Sequence, residues 1–224
     1  MNAVPSCLPI AQRADEFESF LDPFCADLRR YLVYFRGVSL ARRIALVLTV
    51  EGAWASLAYR LGRALRSRAL PPILGGLAWV LQACLEMAIR IVTGIRLDVE
   101  ARIEPGLYIC HHGSIYVGPG VHLGRNCSLS QMVYVAAAGP DGAAPRIGER
   151  VYLGPGSKVL GGVRIGDGAA IGANAVVLND VPANGVMAGV PARLVKRNGS
   201  AELIYLSDGP PPENGSSLVA CGRD

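Results

Sequence analysis

The sequence is poor in charged and aromatic residues. Only 18% of its 224 residues are charged and 6% are aromatic, whereas 51% are hydrophobic. This composition argues against intrinsic disorder and against a charge-laced coiled coil, and the chain is long enough to bury a core. Glycine is abundant, with 27 residues, but it follows no every-third-residue pattern, which excludes collagen.

Cysteine pairs with the spacing of metal ligands or redox sites are also missing. The six cysteines lie far apart, and none belongs to a CxxC pair. No secretory signal precedes them, and we therefore expect neither a disulfide framework nor a zinc knuckle, and a reducing, cytoplasmic location.

Positive charge is concentrated in the first part of the chain. Residues 1–96 contain twelve arginines against seven acidic residues, whereas residues 97–224 contain ten basic and eleven acidic residues. Because the second region lacks a basic surface, we expect no nucleic-acid partner.

Residues 1–96 have the hydrophobic spacing of α-helices. Apolar positions recur three or four residues apart from Asp15 to Phe35, and the stretch Leu40–Leu65 is rich in apolar residues. After a turn at Leu70-Pro71-Pro72, Ile73–Ile95 is apolar with few interruptions. The first 96 residues are therefore predicted to form an α-helical region.

Two interpretations of this helical region stay open. An arginine cluster lies between its apolar stretches and consists of Arg60, Arg63, Arg66 and Arg68. A hairpin of this composition suits the anionic inner face of a membrane. Alternatively, the helices pack on each other or on a sister subunit.

After Ile95 a repeat of six residues replaces the helical spacing. Aliphatic residues recur in one register at Ile103, Ile109, Val117, Leu123, Leu129, Val135, Ile147, Leu153, Val159, Ile165, Ile171 and Val177. A fixed short period indicates a solenoid of short strands, with three strands to a coil and the aliphatic side chains inward. Glycine often follows the aliphatic residue, and we expect it at a backbone position of unusual geometry. The predicted fold is mainly β over residues 97–196, followed by a flexible tail over 197–224.

The repeats resemble those of hexapeptide-repeat acyltransferases, in the branch of serine acetyltransferases and exopolysaccharide O-acetyltransferases. The resemblance rests on Ile109–Gly118, Ile147–Gly154 and the closing Ala188–Arg193. It implies a left-handed parallel β-helix that uses acetyl-CoA and forms a homotrimer, with CoA bound between neighbouring subunits. Asp27–Tyr31 and Ala58–Gly62 also resemble the leader of the exopolysaccharide-type members.

The six-residue step is broken first between Ile109 and Val117, where it is eight residues long. Two extra residues there predict a bulge that carries His111 and His112. An alcohol needs a base to become a nucleophile, and an imidazole with a pKa near 6.5 can take its proton without a metal. The resemblance places the catalytic histidine at His111. His112 occupies a place usually held by a small residue and is a second candidate.

The second break, between Val135 and Ile147, predicts a loop rich in glycine and proline. In serine acetyltransferases the matching loop is longer and carries an Arg-His pair that helps hold the substrate amino acid. Here that pair is replaced by Ala143-Ala144.

Two acidic positions of the family are replaced as well. Cys110 stands where the family has the aspartate before the catalytic histidine. Arg96 aligns with the aspartate that orients this histidine, although Asp98 and Glu100 lie close by in the sequence. Since groups that would bind the charged ends of serine are missing, we expect the acceptor hydroxyl to belong to a sugar or exopolysaccharide precursor. Serine O-acetyltransferase, an enzyme of cysteine biosynthesis, is the alternative.

The resemblance also implies a set of residues that bind acetyl-CoA. They are Ala137, Ala138, Pro155, Ala173, Lys196 and Arg197. Small side chains would let the pantetheine arm lie against the backbone, and the basic pair would contact the CoA phosphates. No metal is expected.

Two other functions fit the sequence less well. Zinc carbonic anhydrases also use the β-helix, but His111, His112 and His122 lack the spacing of a shared set of zinc ligands. A non-catalytic scaffold docked on a membrane would not require His111 and would not bind acetyl-CoA.

Overall fold

The computed structural model describes residues 21–34, 39–47, 49–66, 71–201 and 203–204. Four helices precede the strands within these residues: α1 (Leu21–Tyr34), α2 (Leu40–Val47), α3 (Glu51–Arg66) and α4 (Pro72–Thr93). The sequence-predicted stretch at 40–65 thus forms two helices, with a turn at Thr49 before α3. Of the first predicted stretch, Asp15 to Phe35, the structure describes α1. The residues of this stretch before 21 and after 34 lie outside the described residues.

Fifteen strands follow in the described residues. They are β1 (Ile95–Leu97), β2 (Arg102–Ile103), β3 (Tyr108–Ile109), β4 (Ile115–Val117), β5 (His122–Leu123), β6 (Ser128–Leu129), β7 (Tyr134–Ala136), β8 (Arg146–Ile147), β9 (Tyr152–Leu153), β10 (Lys158–Leu160), β11 (Arg164–Ile165), β12 (Ala170–Ile171), β13 (Val176–Val177), β14 (Val186–Ala188) and β15 (Arg193–Lys196). All are short because each supplies only one side of a coil.

The strands form three sheets, as a solenoid with three strands to a coil requires. The first sheet has the order β1-β4-β7-β10-β13, the second β11-β8-β5-β2, and the third β15-β14-β12-β9-β6-β3. The paired strands are parallel, except that β15 runs antiparallel to β14 at the end of the third sheet. The predicted parallel β-helix is therefore confirmed.

The predicted aliphatic register forms the core of the solenoid. All twelve aliphatic residues of the six-residue period are buried, with 3% exposure or less. Their side chains stack from coil to coil in one continuous cluster, because each residue pairs with its counterpart in the next coil. Burial of this apolar column is the main stabilising term of the fold.

The glycines that follow the aliphatic residues serve a different purpose from the one predicted. Gly124 and Gly154 do not have a positive φ. A Cβ at Gly124 would lie 2.6 Å from the backbone oxygen of Gly148, and one at Gly154 would lie 2.7 Å from that of Ile171. Close approach of successive coils, and not unusual dihedral angles, therefore requires glycine at these positions.

Side chains of the helical region cap the open edge of the first coil. Asp27 accepts hydrogen bonds from the Gly106 and Leu107 N–H groups, both at 2.8 Å. Arg60 forms a buried ion pair with Asp27 at 3.0 Å and donates to the Ile103 carbonyl at 2.6 Å. The edge strands of a parallel sheet leave such backbone groups unpaired, and this polar clamp satisfies them.

The clamp corrects the interpretation of the arginine cluster. Arg60 is 4% exposed and points into the protein, so it does not belong to a membrane-facing patch. Arg66 is exposed and pairs with Glu100 at 3.3 Å, whereas Arg68 lies outside the described residues.

The sequence predicts a flexible tail over residues 197–224, but the packed part of the chain continues past residue 197. The Ser200 N–H donates to the Gly168 carbonyl at 2.8 Å, and Ser200 is buried. Residues 205–224 lie outside the described residues.

Candidate active site

The predicted bulge lies between β3 and β4. Leu97 pairs with Val117, a step of 20 residues, whereas the next step in the same sheet, from Val117 to Val135, is 18 residues. The first coil therefore contains two additional residues. His111 is half-buried and His112 is exposed in this segment.

Backbone hydrogen bonds hold both ends of the bulge. The Cys110 N–H donates to the Leu129 carbonyl of the next coil, and the Gly113 N–H donates to the Thr93 carbonyl at the end of α4, both at 2.9 Å. Gly113 has φ of 102°, a conformation that favours glycine. The two histidines are thus carried by a short segment anchored to the solenoid on one side and to a helix on the other.

The helical region also fixes the strand that leads into the bulge. The Tyr31 hydroxyl accepts the Ile109 N–H at 3.0 Å, and burial raises the pKa of this tyrosine above its usual range. A Cβ at Gly52 would lie 2.7 Å from the Ile109 Cβ, so α3 approaches β3 closely at its first turn. This contact brings the start of α3 next to the histidines.

Glu51, at the start of α3, is an acidic residue of the site that sequence reasoning missed. Its Oε1 lies 3.5 Å from Nδ1 of His112, and both side chains are partly exposed to solvent. No motif or repeat links the two residues in the sequence; tertiary packing of α3 on β3 places them together. A carboxylate therefore stands beside the histidines despite Cys110 at the usual position of the family's aspartate.

The carboxylates near Arg96 belong to other contacts. Asp98 accepts the Glu100 N–H at 2.9 Å, and its Oδ2 lies 3.6 Å from Arg96 Nη2. Arg96 also lies over the Tyr116 ring, 5.5 Å from its centroid. These residues form a surface group on the first sheet.

Two of the predicted CoA-binding residues lie on the same edge of the solenoid as the histidine bulge, where the chain passes from the third sheet to the first. Hydrogen bonds connect this edge coil by coil: Met132 N–H to the Gly113 carbonyl at 2.9 Å, Gly156 N–H to the Gln131 carbonyl at 2.9 Å, and Asn174 N–H to the Pro155 carbonyl at 2.8 Å. Pro155 and Ala173 therefore lie in line with the bulge. With about 4.8 Å between coils, Ala173 is roughly 14 Å along the solenoid axis from it.

Ala137 and Ala138 lie on a different edge of the solenoid, where the chain passes from the first sheet to the second. Both are exposed and follow β7, where the loop to β8 begins. The loop is closed at its base by the Ala138 N–H, which donates to the Ala143 carbonyl at 3.3 Å. One protomer therefore does not bring these alanines together with Pro155 and Ala173.

The β7–β8 loop and a neighbouring turn form the walls of an open groove. The groove has a volume of about 530 Å³, and Ala138, Ala143 and Val163 are among its lining residues. Lys196 and Arg197 are exposed beyond the last coil, where Lys196 pairs with Val186.

Comparison with known proteins identifies the family. The model of the bacterial transferase hexapeptide family (six repeats) matches residues 144–179. A serine acetyltransferase of Helicobacter pylori strain J99 is 32% identical over 154 residues, which cover 68% of this chain and 85% of that protein. The chain belongs to the serine acetyltransferase family. The predicted enzyme class, an acetyl-CoA-dependent acyltransferase, is thus confirmed.

Solved structures of serine acetyltransferases have the same fold. The Brucella abortus enzyme in complex with coenzyme A has a TM-score of 0.65 and 28% identity, covering 79% of this chain and 67% of that one. The Neisseria gonorrhoeae enzyme in complex with serine has a TM-score of 0.63 and 29% identity, covering 79% of this chain and 69% of that one. These relatives favour the alternative prediction, serine as acceptor, over the sugar acceptor that the missing charges suggested.

The described residues contain no group of three histidine, cysteine or acidic side chains placed to hold a metal ion. His122 lies on the second sheet, where its Nε2 is 3.2 Å from Oε1 of Glu104. It therefore takes no part in the bulge that carries the other two histidines.

Proposed function

We propose that the protein transfers the acetyl group of acetyl-CoA to the side-chain hydroxyl of L-serine. The observation that carries this proposal is the position of Glu51 beside the bulge with His111 and His112. Free serine has an ammonium group, and its recognition requires a negative or accepting partner in the site. Glu51 supplies one where the family's aspartate is replaced by Cys110.

In this mechanism His111 is the general base. Its imidazole takes the proton of the serine hydroxyl while the hydroxyl oxygen attacks the thioester carbonyl carbon. A backbone N–H of the solenoid stabilises the oxyanion that forms. When this tetrahedral species collapses, the carbon–sulfur bond breaks and the imidazolium returns the proton to the CoA sulfur. O-acetylserine and CoA are the products, and the base is regenerated.

CoA is proposed to lie along the edge that joins the bulge to Pro155 and Ala173. The exposed Lys196-Arg197 pair lies beyond the last coil, where it can contact phosphate groups. Because Ala137 and Ala138 occupy the opposite edge of the first sheet, a site that includes all these residues requires a neighbouring subunit. This arrangement supports the homotrimer that the family resemblance implies.

A sugar hydroxyl is the second candidate acceptor. The loop residues Ala143 and Ala144 have no charge with which to bind a carboxylate, and Cys110 has none for an ammonium. An acceptor without charged groups, such as a polysaccharide precursor, would need neither.

The test is CoA release from acetyl-CoA by the purified full chain, with L-serine and a panel of sugars as separate acceptors. We expect serine to be acetylated, and His111→Ala to lower kcat by roughly 10²–10⁴. His122→Ala is the matched control because His122 lies on another sheet, and it should keep full activity. A sugar that is acetylated faster than serine would establish the second candidate. Full activity of His111→Ala would refute the mechanism.

A further inference from the structure

Helix α4 has one polar side, which faces the protein, and one apolar side, which faces outward. Gln82 is buried and donates from Nε2 to the Ala58 carbonyl of α3 at 2.8 Å. Thr93 is also buried, and its hydroxyl donates to the Ile89 carbonyl at 2.7 Å. The helix is thus attached through α3 to the clamp on the first coil.

The outward side of α4 is an uninterrupted apolar surface, which we call the α4 face. It consists of exposed side chains that lie on one side of the helix: Ile73, Leu77, Val80, Leu81, Met87 and Ile91. The helix has 22 residues and is therefore about 33 Å long. Soluble monomers rarely expose a continuous apolar surface of this length, so the α4 face must have a partner.

Charged groups are absent from the α4 face. The helix contains only two charged residues, Glu86 and Arg90, which are four positions apart on another side. Glu86 lines a cleft shared with Gly62 and Arg66 of α3. Burial, with a further contribution from Asp98, raises the pKa of Glu86.

The segment of the chain that contains α4 is strongly basic. Residues 40–96 contain eight arginines and two acidic residues. Arg60 pairs with Asp27 in the clamp and Arg66 pairs with Glu100, whereas Arg42 of α2 and Arg90 of α4 are exposed. Bringing two copies of this region together would oppose like charges, whereas anionic lipid headgroups would attract them.

Among the described residues, α4 is the one helix that is long and apolar enough to cross a membrane. Its contacts point to a different arrangement. A spanning α4 would take Gln82 away from Ala58, and it would draw α3 and its buried Arg60 from the solenoid. A helix that keeps these contacts can meet lipid only with its outward side.

We propose that the α4 face docks the protein on the surface of an anionic membrane, with α4 parallel to the bilayer plane. The apolar side chains enter the boundary between headgroups and acyl chains, and the neighbouring arginines contact lipid phosphates. This inference does not depend on which acceptor the enzyme uses.

The experiment measures sedimentation of the full chain with vesicles of phosphatidylglycerol and phosphatidylcholine, and with vesicles of phosphatidylcholine alone. We expect binding to the anionic vesicles that weakens as salt is raised and is much lower on neutral vesicles. The double variant Leu77→Glu, Leu81→Glu should reduce binding by about 10-fold or more for each leucine.

Leu21→Glu is the matched control, since Leu21 is 62% exposed, close to the 57% of Leu77 and 61% of Leu81, but lies on α1. It should bind vesicles like the wild type. Acetyltransferase activity in all three proteins reports that they are folded. If the double glutamate variant is inactive, a milder Leu77→Ser, Leu81→Ser variant replaces it.

Lack of wild-type binding to anionic vesicles would overturn the proposal. So would a change in molecular mass caused by the α4 variants in solution, because another copy would then cover the α4 face.

Discussion

Glu51 comes from a helix, and the histidines beside it come from a break in a β-solenoid. Its carboxylate lies 3.5 Å from Nδ1 of His112. A carboxylate in this position can accept a hydrogen bond from an ammonium group of the acceptor, or from the His112 ring. The two roles have different kinetic consequences.

Glu51→Gln keeps the shape of the side chain but removes its charge. If Glu51 binds the serine ammonium, the KM for serine should rise about 10-fold or more, with a smaller change in kcat and no change in the KM for acetyl-CoA. Steady-state kinetics with each substrate varied in turn measures this split. An unchanged KM for serine would contradict the role in acceptor binding, and a loss confined to kcat would indicate that Glu51 acts on His112.

Sequence reasoning found the histidines of the site but not their acidic neighbour, for a physical reason. His111 and His112 stand out because two extra residues break a period, and a period is a local property of the chain. Glu51 reaches the bulge only because α3 packs on β3, and no repeat or residue spacing in the sequence predicts this contact. Ala143 and Ala144 suggested a sugar acceptor, whereas the relatives of the chain favour serine.

The clamp between the helical region and the first coil is the element on which the position of the site depends. Asp27 and Arg60 satisfy backbone groups of the edge strands, and Tyr31 bonds the last residue before the bulge. Six-residue periodicity predicted the column of buried aliphatic side chains, but it contained no information about these contacts. Arg60 was consequently assigned to a surface cluster, whereas its partner Asp27 comes from a different helix.

Asp27→Ala should lower the free energy of unfolding by about 3–5 kcal/mol, because it leaves the buried Arg60 unpaired and two N–H groups without acceptors. Chemical denaturation followed by circular dichroism measures the change. Glu100→Ala is the control, since it removes the exposed partner of Arg66, and it should change the stability by about 1 kcal/mol or less. Equal effects of the two substitutions would contradict the structural role of the clamp.

At the scale of the whole molecule, the predicted CoA-binding residues lie on two edges of the solenoid and beyond its last coil. Pro155 and Ala173 share the edge of the histidine bulge, and Ala137 and Ala138 lie on the other. Three copies around an axis would place unlike edges side by side, so that each groove draws on two chains. Homotrimer formation stays a prediction, to be measured as molecular mass by light scattering.

The basic pair beyond the last coil provides a test of where CoA lies. Replacing both Lys196 and Arg197 by alanine should raise the KM for acetyl-CoA about 10-fold or more and leave the KM for serine unchanged, because only the phosphates lose partners. Arg102→Ala is the control, since Arg102 is exposed on the first coil. The prediction fails if both variants have the wild-type KM for acetyl-CoA.

The clamp at one end of the solenoid has a counterpart at the other, where β15 runs antiparallel to β14. A stack of identical coils has no natural length, since each exposed edge can template another strand, as in an amyloid fibril. The helices and β15 therefore act as terminators that limit a potential polymer to a fixed number of coils. A chain deprived of α1 and α3 would regain one adhesive edge while β15 still covers the other end, so its association would stop at two copies joined edge to edge.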